Sequence, residues 1–163
     1  MTNVNQPLIK PGEIIPAFTL PGADGMPHSP WDYKQRLNLI LLFTRTASSN
    51  ETRGLLRAFA KEYSSFREEQ CAILAISPGT VIANLHTQEE LHLPYPLLAD
   101  SKGDVISRYT QWDATTGSFN PSIILADRYN ALYQQWIADS ESDLPPIEEL
   151  LEALRYLNKL CTP

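Results

Sequence analysis

Cysteine is scarce in this chain: Cys71 and Cys161 are the only two among 163 residues. Two are too few for a disulfide framework, and they have neither the number nor the spacing of a zinc site, so no metal is expected. Such cysteine usage makes a cytoplasmic, reduced protein the default. Positive charge is also short. Thirteen Lys and Arg against 19 Asp and Glu leave a net charge of −6, a field of the wrong sign for nucleic acid or an anionic membrane. No apolar run approaches membrane-spanning length. Met1 to Leu8 has no basic or apolar segment of the kind a secretory signal needs, so none is expected. No cofactor is expected, and no internal repeat, linker or low-complexity tract divides the chain, so one core is expected from a length that buries about two thirds of the unfolded surface.

What remains is a regular alternation. Residues 1–13 read as an irregular arm, because Pro7, Pro11 and Gly12 interrupt regular structure. Residues 14–163 then read as one domain. Ala17–Leu20 and Met26–His28 flank Asp24-Gly25 as a small hairpin, and Ser29-Pro30 opens a short helical turn with a serine cap and a proline at its first position. Asn38–Phe43 and Cys71–Ser77 are continuous apolar runs of strand length, whereas Leu55, Leu56, Phe59, Tyr63 and Phe66 fall at helical spacing between them. A helix over Thr80–Leu91, an extended Pro94–Asp100 and a brief helix over Val105–Tyr109 follow. Ser122–Ala126 and Ala131–Ile137 form an antiparallel pair. Ile147, Leu150, Leu151, Leu154, Leu157 and Leu160 make the apolar stripe of a last helix. Alternation followed by a hairpin predicts an α/β fold, a mixed central sheet flanked by helices with an N-terminal β-hairpin extension.

The loop after the first long strand is the natural place for chemistry, since helix amides point into it at the carboxyl end of the strand. It contains Thr44, Arg45, Thr46, Ser48, Ser49, Glu51 and Thr52, and no cysteine. Ser48-Ser49-Asn50-Glu51 matches S-x-x-E, a capping box in which Ser48 accepts from the Glu51 amide. A functional reading of the same residues lets Arg45, Ser48, Ser49 and the helix amides hold an anion. A serine nucleophile would need a base, and His28, His86 and His92 all lie far away in sequence.

Several stretches read together resemble the thioredoxin-like superfamily, and within it the redoxin branch of AhpC/TSA, or peroxiredoxin-like, proteins. They are Gly12-Glu13-Ile14-Ile15-Pro16-Ala17-Phe18-Thr19-Leu20, Leu41-Leu42-Phe43 before the loop, Ala75-Ile76-Ser77, Tyr95-Pro96-Leu97-Leu98-Ala99-Asp100, and Pro121-Ser122-Ile123-Ile124-Leu125-Ala126-Asp127. The resemblance implies a thioredoxin-like fold and an antioxidant thiol chemistry that the loop does not supply. Against the family's Pro-x-x-x-Thr-x-x-Cys, Arg45 stands for the proline, Ser49 for the threonine and Thr52 for the cysteine. Against Cys-x-x-Cys, Ser48 and Glu51 take the two thiol positions. Peroxide reduction and disulfide exchange both need a thiolate. A serine or threonine hydroxyl cannot become a sulfenic acid.

The resemblance also implies that Pro121, after Asn120, is a cis-proline facing the loop, an edge where such folds receive extended peptides. Cys71 reads as an apolar filler of a core strand, and Cys161 as a thiol at the end of the last helix. Trp31, Trp112 and Trp136, with Tyr109 and Phe119, belong either to a pocket or to core, and the polar stretch Thr110–Asn120 is the expected partner surface. The expectation is therefore a redoxin-like domain without cysteine-based catalysis that binds a protein or small ligand at the former active-site face. The alternatives are a thiol oxidoreductase using a displaced cysteine and a structural dimerisation module forming a homodimer.

Overall fold

The structure, a computed structural model, describes residues 8–160. Strands β1 (Leu20–Pro21) and β2 (Pro27–His28) pair antiparallel around the Asp24-Gly25 turn, with Gly25 at φ +81°. A 3-10 turn at Pro30–Tyr33 follows, capped by Ser29 with Asp32 closing the capping box. Next come β3 (Asn38–Phe43), α1 (Asn50–Lys61), α2 (Tyr63–Glu68), β4 (Cys71–Ser77), α3 (Val81–Leu91), β5 (Leu97–Ala99) and α4 (Ile106–Tyr109). A short pair, β6 (Trp112–Asp113) and β7 (Ser118–Phe119), precedes β8 (Ser122–Ala126), β9 (Leu132–Ile137), a 3-10 turn at Glu141–Asp143 and α5 (Ile147–Leu160).

The main sheet runs β5-β4-β3-β8-β9, parallel through the first three strands and antiparallel thereafter. All six residues of β3 are buried because it is the central strand, covered on both faces. Period two then sorts the core. Ile40, Leu42, Ile73, Ala75, Ile123 and Leu125 pack with Leu56 and Phe59 of α1, Phe66 of α2 and Leu150, Leu151, Leu154 and Leu157 of α5. Leu39, Leu41, Phe43, Leu74, Ile76 and Ile124 turn the other way, onto Ile9, Ile15, Phe18, Val105, Ile106 and Tyr109. The described part of the arm is fastened to β9: Gly12 N–H donates to Leu132 O (2.7 Å), and Leu132 N–H donates to Glu13 O (2.8 Å).

Two helical readings change. The helix carrying Leu55 to Phe66 is broken at Glu62, so Tyr63 and Phe66 belong to a separate α2. In α3 the buried positions are the polar Asn84 and Thr87, while Val81, Ile82 and Leu85 face out. Asn84 Oδ1 is satisfied there by the Ser77 hydroxyl at 3.0 Å. Among the described residues no helix is long and apolar enough to cross a membrane.

Candidate functional site

The sheet register determines which loops meet. Phe43 lies opposite Ile76 on one side and Ser122 on the other, and Ser122 lies opposite Ile137. Residues 44–49, 78–80, 110–121 and 138–146 therefore gather at one end of the sheet. Cys71 pairs with Asn38 at the opposite end of β3 and β4. Five residue steps of strand, about 16 Å, separate that level from Phe43.

At the gathered end the helix begins one residue later than the S-x-x-E pattern predicts. Ser49, not Ser48, is the N-cap, its Oγ accepting from Thr52 N–H at 3.1 Å. Ser48 Oγ instead meets Thr46 Oγ1 at 3.0 Å, and both residues are exposed. The shift has a physical reason. It turns the Thr52 side chain inward, where its hydroxyl donates to Glu141 Oε1 at 2.9 Å while accepting from Ser49 Oγ–H at 2.9 Å. Glu51, the expected box partner, is left exposed.

Glu141 is the residue that the sequence reading missed. Its side chain is 1% exposed, its Oε1 also accepts the Arg45 backbone N–H at 3.0 Å, and its Oε2 lies 3.8 Å from Arg45 Nη1. Among the described residues Oε2 has no hydrogen-bond partner, nor has the buried hydroxyl of Thr44. Arg45 Nη2 donates to Asp139 O at 2.6 Å. The arginine is thus held from behind by the loop after β9, with 43% of its side chain still exposed. The carboxyl group beside the start of α1 is the protein's own, and the hydroxyls of Ser48 and Ser49 turn to Thr46 and Thr52.

The polar stretch expected to be the partner surface forms a hairpin at its centre. Asp113 Oδ1 accepts Thr115 N–H at 2.9 Å and Thr116 N–H at 3.4 Å, which holds its carboxyl below the usual carboxylate range, and Gly117 takes φ +67° to close the turn. Across it Trp112 pairs with Phe119, their rings stacked at 5.4 Å and 20°. Asn120–Pro121 is a trans peptide bond, as is every other described one, so the expected cis-proline is corrected. The trans form is the cheaper by about 0.5–1 kcal/mol, and in it Asn120 O accepts from Thr110 Oγ1 (3.1 Å) and Pro121 O from Ala138 N–H (3.1 Å).

Between the hairpin and the loop after β3 lies a cleft with two lobes. One, about 390 Å³, is lined by Arg45, Gln111, Trp112, Asp113, Phe119 and Asn120. The other, about 250 Å³, runs past Arg45, Thr46, Pro78, Thr116 and Phe119. Of the expected aromatics only Trp112 and Phe119 reach it. Tyr109 is buried on Phe43, Trp31 is exposed beside Lys34, and Trp136 packs on the α1 and α5 face. Trp112 is wedged, because a Cβ on Gly103 would come within 2.5 Å of its ring and Gly103 sits at φ +76°. Gly103→Ala is accordingly expected to destabilise the fold by about 2 kcal/mol and to shift the Trp112 fluorescence, checked by denaturant titration and emission spectra; unchanged stability and emission would remove the wedge.

The AhpC/TSA family's sequence pattern matches residues 11–135. The chain belongs to the AhpC/TSA family. No curated protein matches it in sequence. Peroxidoxin BcpB from Mycobacterium tuberculosis is similar in structure at 19% identity and a TM-score of 0.79, covering 91% of this chain and 97% of the other. A mutant PrxQ of Xylella fastidiosa reaches 0.80 at 15% identity, covering 92% and 98%. The thiol peroxidase from Chromobacterium violaceum reaches 0.77 at 17%, covering 91% and 88%. At these identities the likeness concerns the fold, which is the thioredoxin-like one of peroxiredoxins.

Neither thiol of this AhpC/TSA chain lies in the loop between β3 and α1. Cys71 is 2% exposed, its Sγ lies 3.4 Å from Ala72 O, and desolvation pushes its pKa far up. A buried, protonated thiol is a poor nucleophile. Cys161 lies outside the described residues. In a Cys161→Ser variant at mildly alkaline pH, Cys71 is expected to react with a thiol reagent at least about 100-fold more slowly than free cysteine. Denaturant should restore the full rate, and rapid labelling of the native form would contradict the burial.

Proposed function

We propose that this is a cytoplasmic redoxin-fold protein that has lost cysteine-based redox catalysis and binds a protein, peptide or small ligand at its former active-site face. The observation that carries the reading is the contact between Thr52 and Glu141: a buried hydroxyl donates to a buried carboxylate at the residue that the resemblance to Pro-x-x-x-Thr-x-x-Cys sets against the family's cysteine. A thiolate there would need positive surroundings. The residue that Thr52 contacts is instead a glutamate. The cleft beside it supports the binding half of the proposal, since its volume falls in the range of small-ligand sites and its walls are held by the Trp112–Phe119 pair and by Arg45.

The test is reduction of hydrogen peroxide and of insulin disulfides with excess dithiol, run beside the Cys71→Ser/Cys161→Ser double variant. Neither protein is expected to exceed the buffer blank. Turnover by the wild type that the double variant lacks would make this an enzyme with a displaced thiol.

A further inference from the structure

We infer that the cleft between Arg45 and the β6–β7 hairpin is a carboxylate-binding site with the Arg45 guanidinium as its anchor. The inference rests on the binding reading above and names the chemistry of the ligand. Four observations converge on it. First, both lobes of the cleft touch Arg45, Ser118 and Phe119, so one side chain commands the whole opening. Second, the guanidinium is already oriented: Nη2 is spent on Asp139 O and Nη1 faces Glu141, yet 43% of the side chain is exposed. An arginine fixed in this way loses little freedom on binding, and its planar fork suits a carboxylate.

Third, the rest of the wall is mostly neutral and polar, with Asp113 as its one carboxylate. Thr46, Thr116, Ser118, Gln111 and Asn120 line the two lobes with the arginine, while Trp112 and Phe119 add aromatic surface. Few precisely placed polar groups on an aromatic surface orient a ligand that has one charged end and an apolar body. Fourth, the charge nearby limits the anion. Glu141 is 3.8 Å behind Arg45, the Asp113 carboxyl is kept ionised by its turn amides, and the chain carries −6 overall. A singly charged carboxylate is tolerated in that field, whereas a doubly charged phosphate is opposed. The carboxylate has two sources, a small organic acid or the free C-terminus of an extended peptide.

The experiment is an NMR titration of the isotope-labelled full chain, following the Trp112 indole and the Ser118 and Phe119 amides. The probes are hippurate, its neutral amide, a blocked tripeptide with a free C-terminal carboxylate, and the same tripeptide as an amide. The acids are expected to saturate with a Kd of about 1 mM or below and at least tenfold more tightly than the amides, with inorganic phosphate competing poorly. Preference for the tripeptide acid or for hippurate identifies the source. Arg45→Gln should abolish acid binding. Because that change also disturbs Glu141, Ser118→Asp, which adds a carboxylate to the exposed rim, serves as the second variant and should do the same.

Equal affinity of acids and amides, or no saturation by about 10 mM, overturns the inference. Peroxide turnover measured on the same samples separates the two readings. Silence without acid binding removes the carboxylate site alone, and turnover dependent on Cys71 or Cys161 removes the reading beneath it.

Discussion

Glu141→Ala is expected to lower the stability of the protein by about 3 kcal/mol, a fall in Tm of about 6–12 °C for a chain of this size. The carboxylate accepts the Thr52 hydroxyl at 2.9 Å and the Arg45 amide at 3.0 Å, and the side chain is 1% exposed. Its removal strands two donors, each costing about 1–3 kcal/mol if left unsatisfied, and leaves a void at the start of α1. Glu141→Gln keeps a carbonyl oxygen for both donors and should cost less than half as much. Thermal unfolding of the three proteins checks this. An alanine variant within about 0.5 kcal/mol of the wild type would mean that Glu141 does not organise the loop.

Placing a thiol where the resemblance to Pro-x-x-x-Thr-x-x-Cys sets it, by Thr52→Cys, is expected to yield a poor nucleophile. A thiolate at that position would lie near the Glu141 carboxylate, and a like charge at hydrogen-bond range disfavours ionisation. The start of α1 pulls the other way, by a smaller amount for an isolated helix end than for an adjacent full charge. In a Cys161→Ser background the introduced thiol should therefore titrate above the ordinary cysteine value of about 8.5. Adding Glu141→Gln should bring it down by one unit or more, about 1.4 kcal/mol, with a rise of about threefold or more in reaction with peroxide near neutral pH, since thiolate nucleophilicity falls with the pKa. Thiolate absorbance against pH and single-turnover peroxide oxidation measure both. A low-pKa, fast-reacting Thr52→Cys protein without the second change would show that Glu141 does not hold the position closed.

Much of the fold is legible in the chain because the sheet core is written in local patterns. Asn38–Phe43 and Cys71–Ser77 are apolar runs that only a strand covered on both faces needs, and the stripe from Ile147 to Leu160 has a helical period. α3 resists the same reading, since Asn84 and Thr87 face inward on hydrogen bonds that no periodicity reveals. The site is harder still. Glu141 sits in an acidic, serine-containing stretch, Ser140-Glu141-Ser142-Asp143, that reads as an exposed lead-in to the last helix. Its partners Thr52 and Arg45 are 89 and 96 residues away, and the Phe43–Ser122 and Ser122–Ile137 registers together bring them near.

The hairpin of β6 and β7 was within reach. Asp113 followed by Gly117 is a turn signal, and the aromatic pair flanks it. The polarity of Gln111 to Asn120 conceals it, because each strand is only two residues long. At Pro121 the resemblance misled: the segment aligns with the family, but the peptide bond is trans. At Ser48 the local S-x-x-E pattern misled, because a tertiary contact from Thr52 to Glu141 selects the register one residue on.

The most direct measurement is the trapping of sulfenic acid on the native wild-type protein after peroxide challenge, with free cysteine as the reference. The expected result is no adduct at Cys71 and none at Cys161 formed faster than on free cysteine, because neither thiol stands in the Thr52 position and Cys71 is buried at the far end of the sheet. An adduct at either cysteine formed at least about 100-fold faster than the reference would contradict the proposed loss of redox chemistry and show a working peroxidatic thiol.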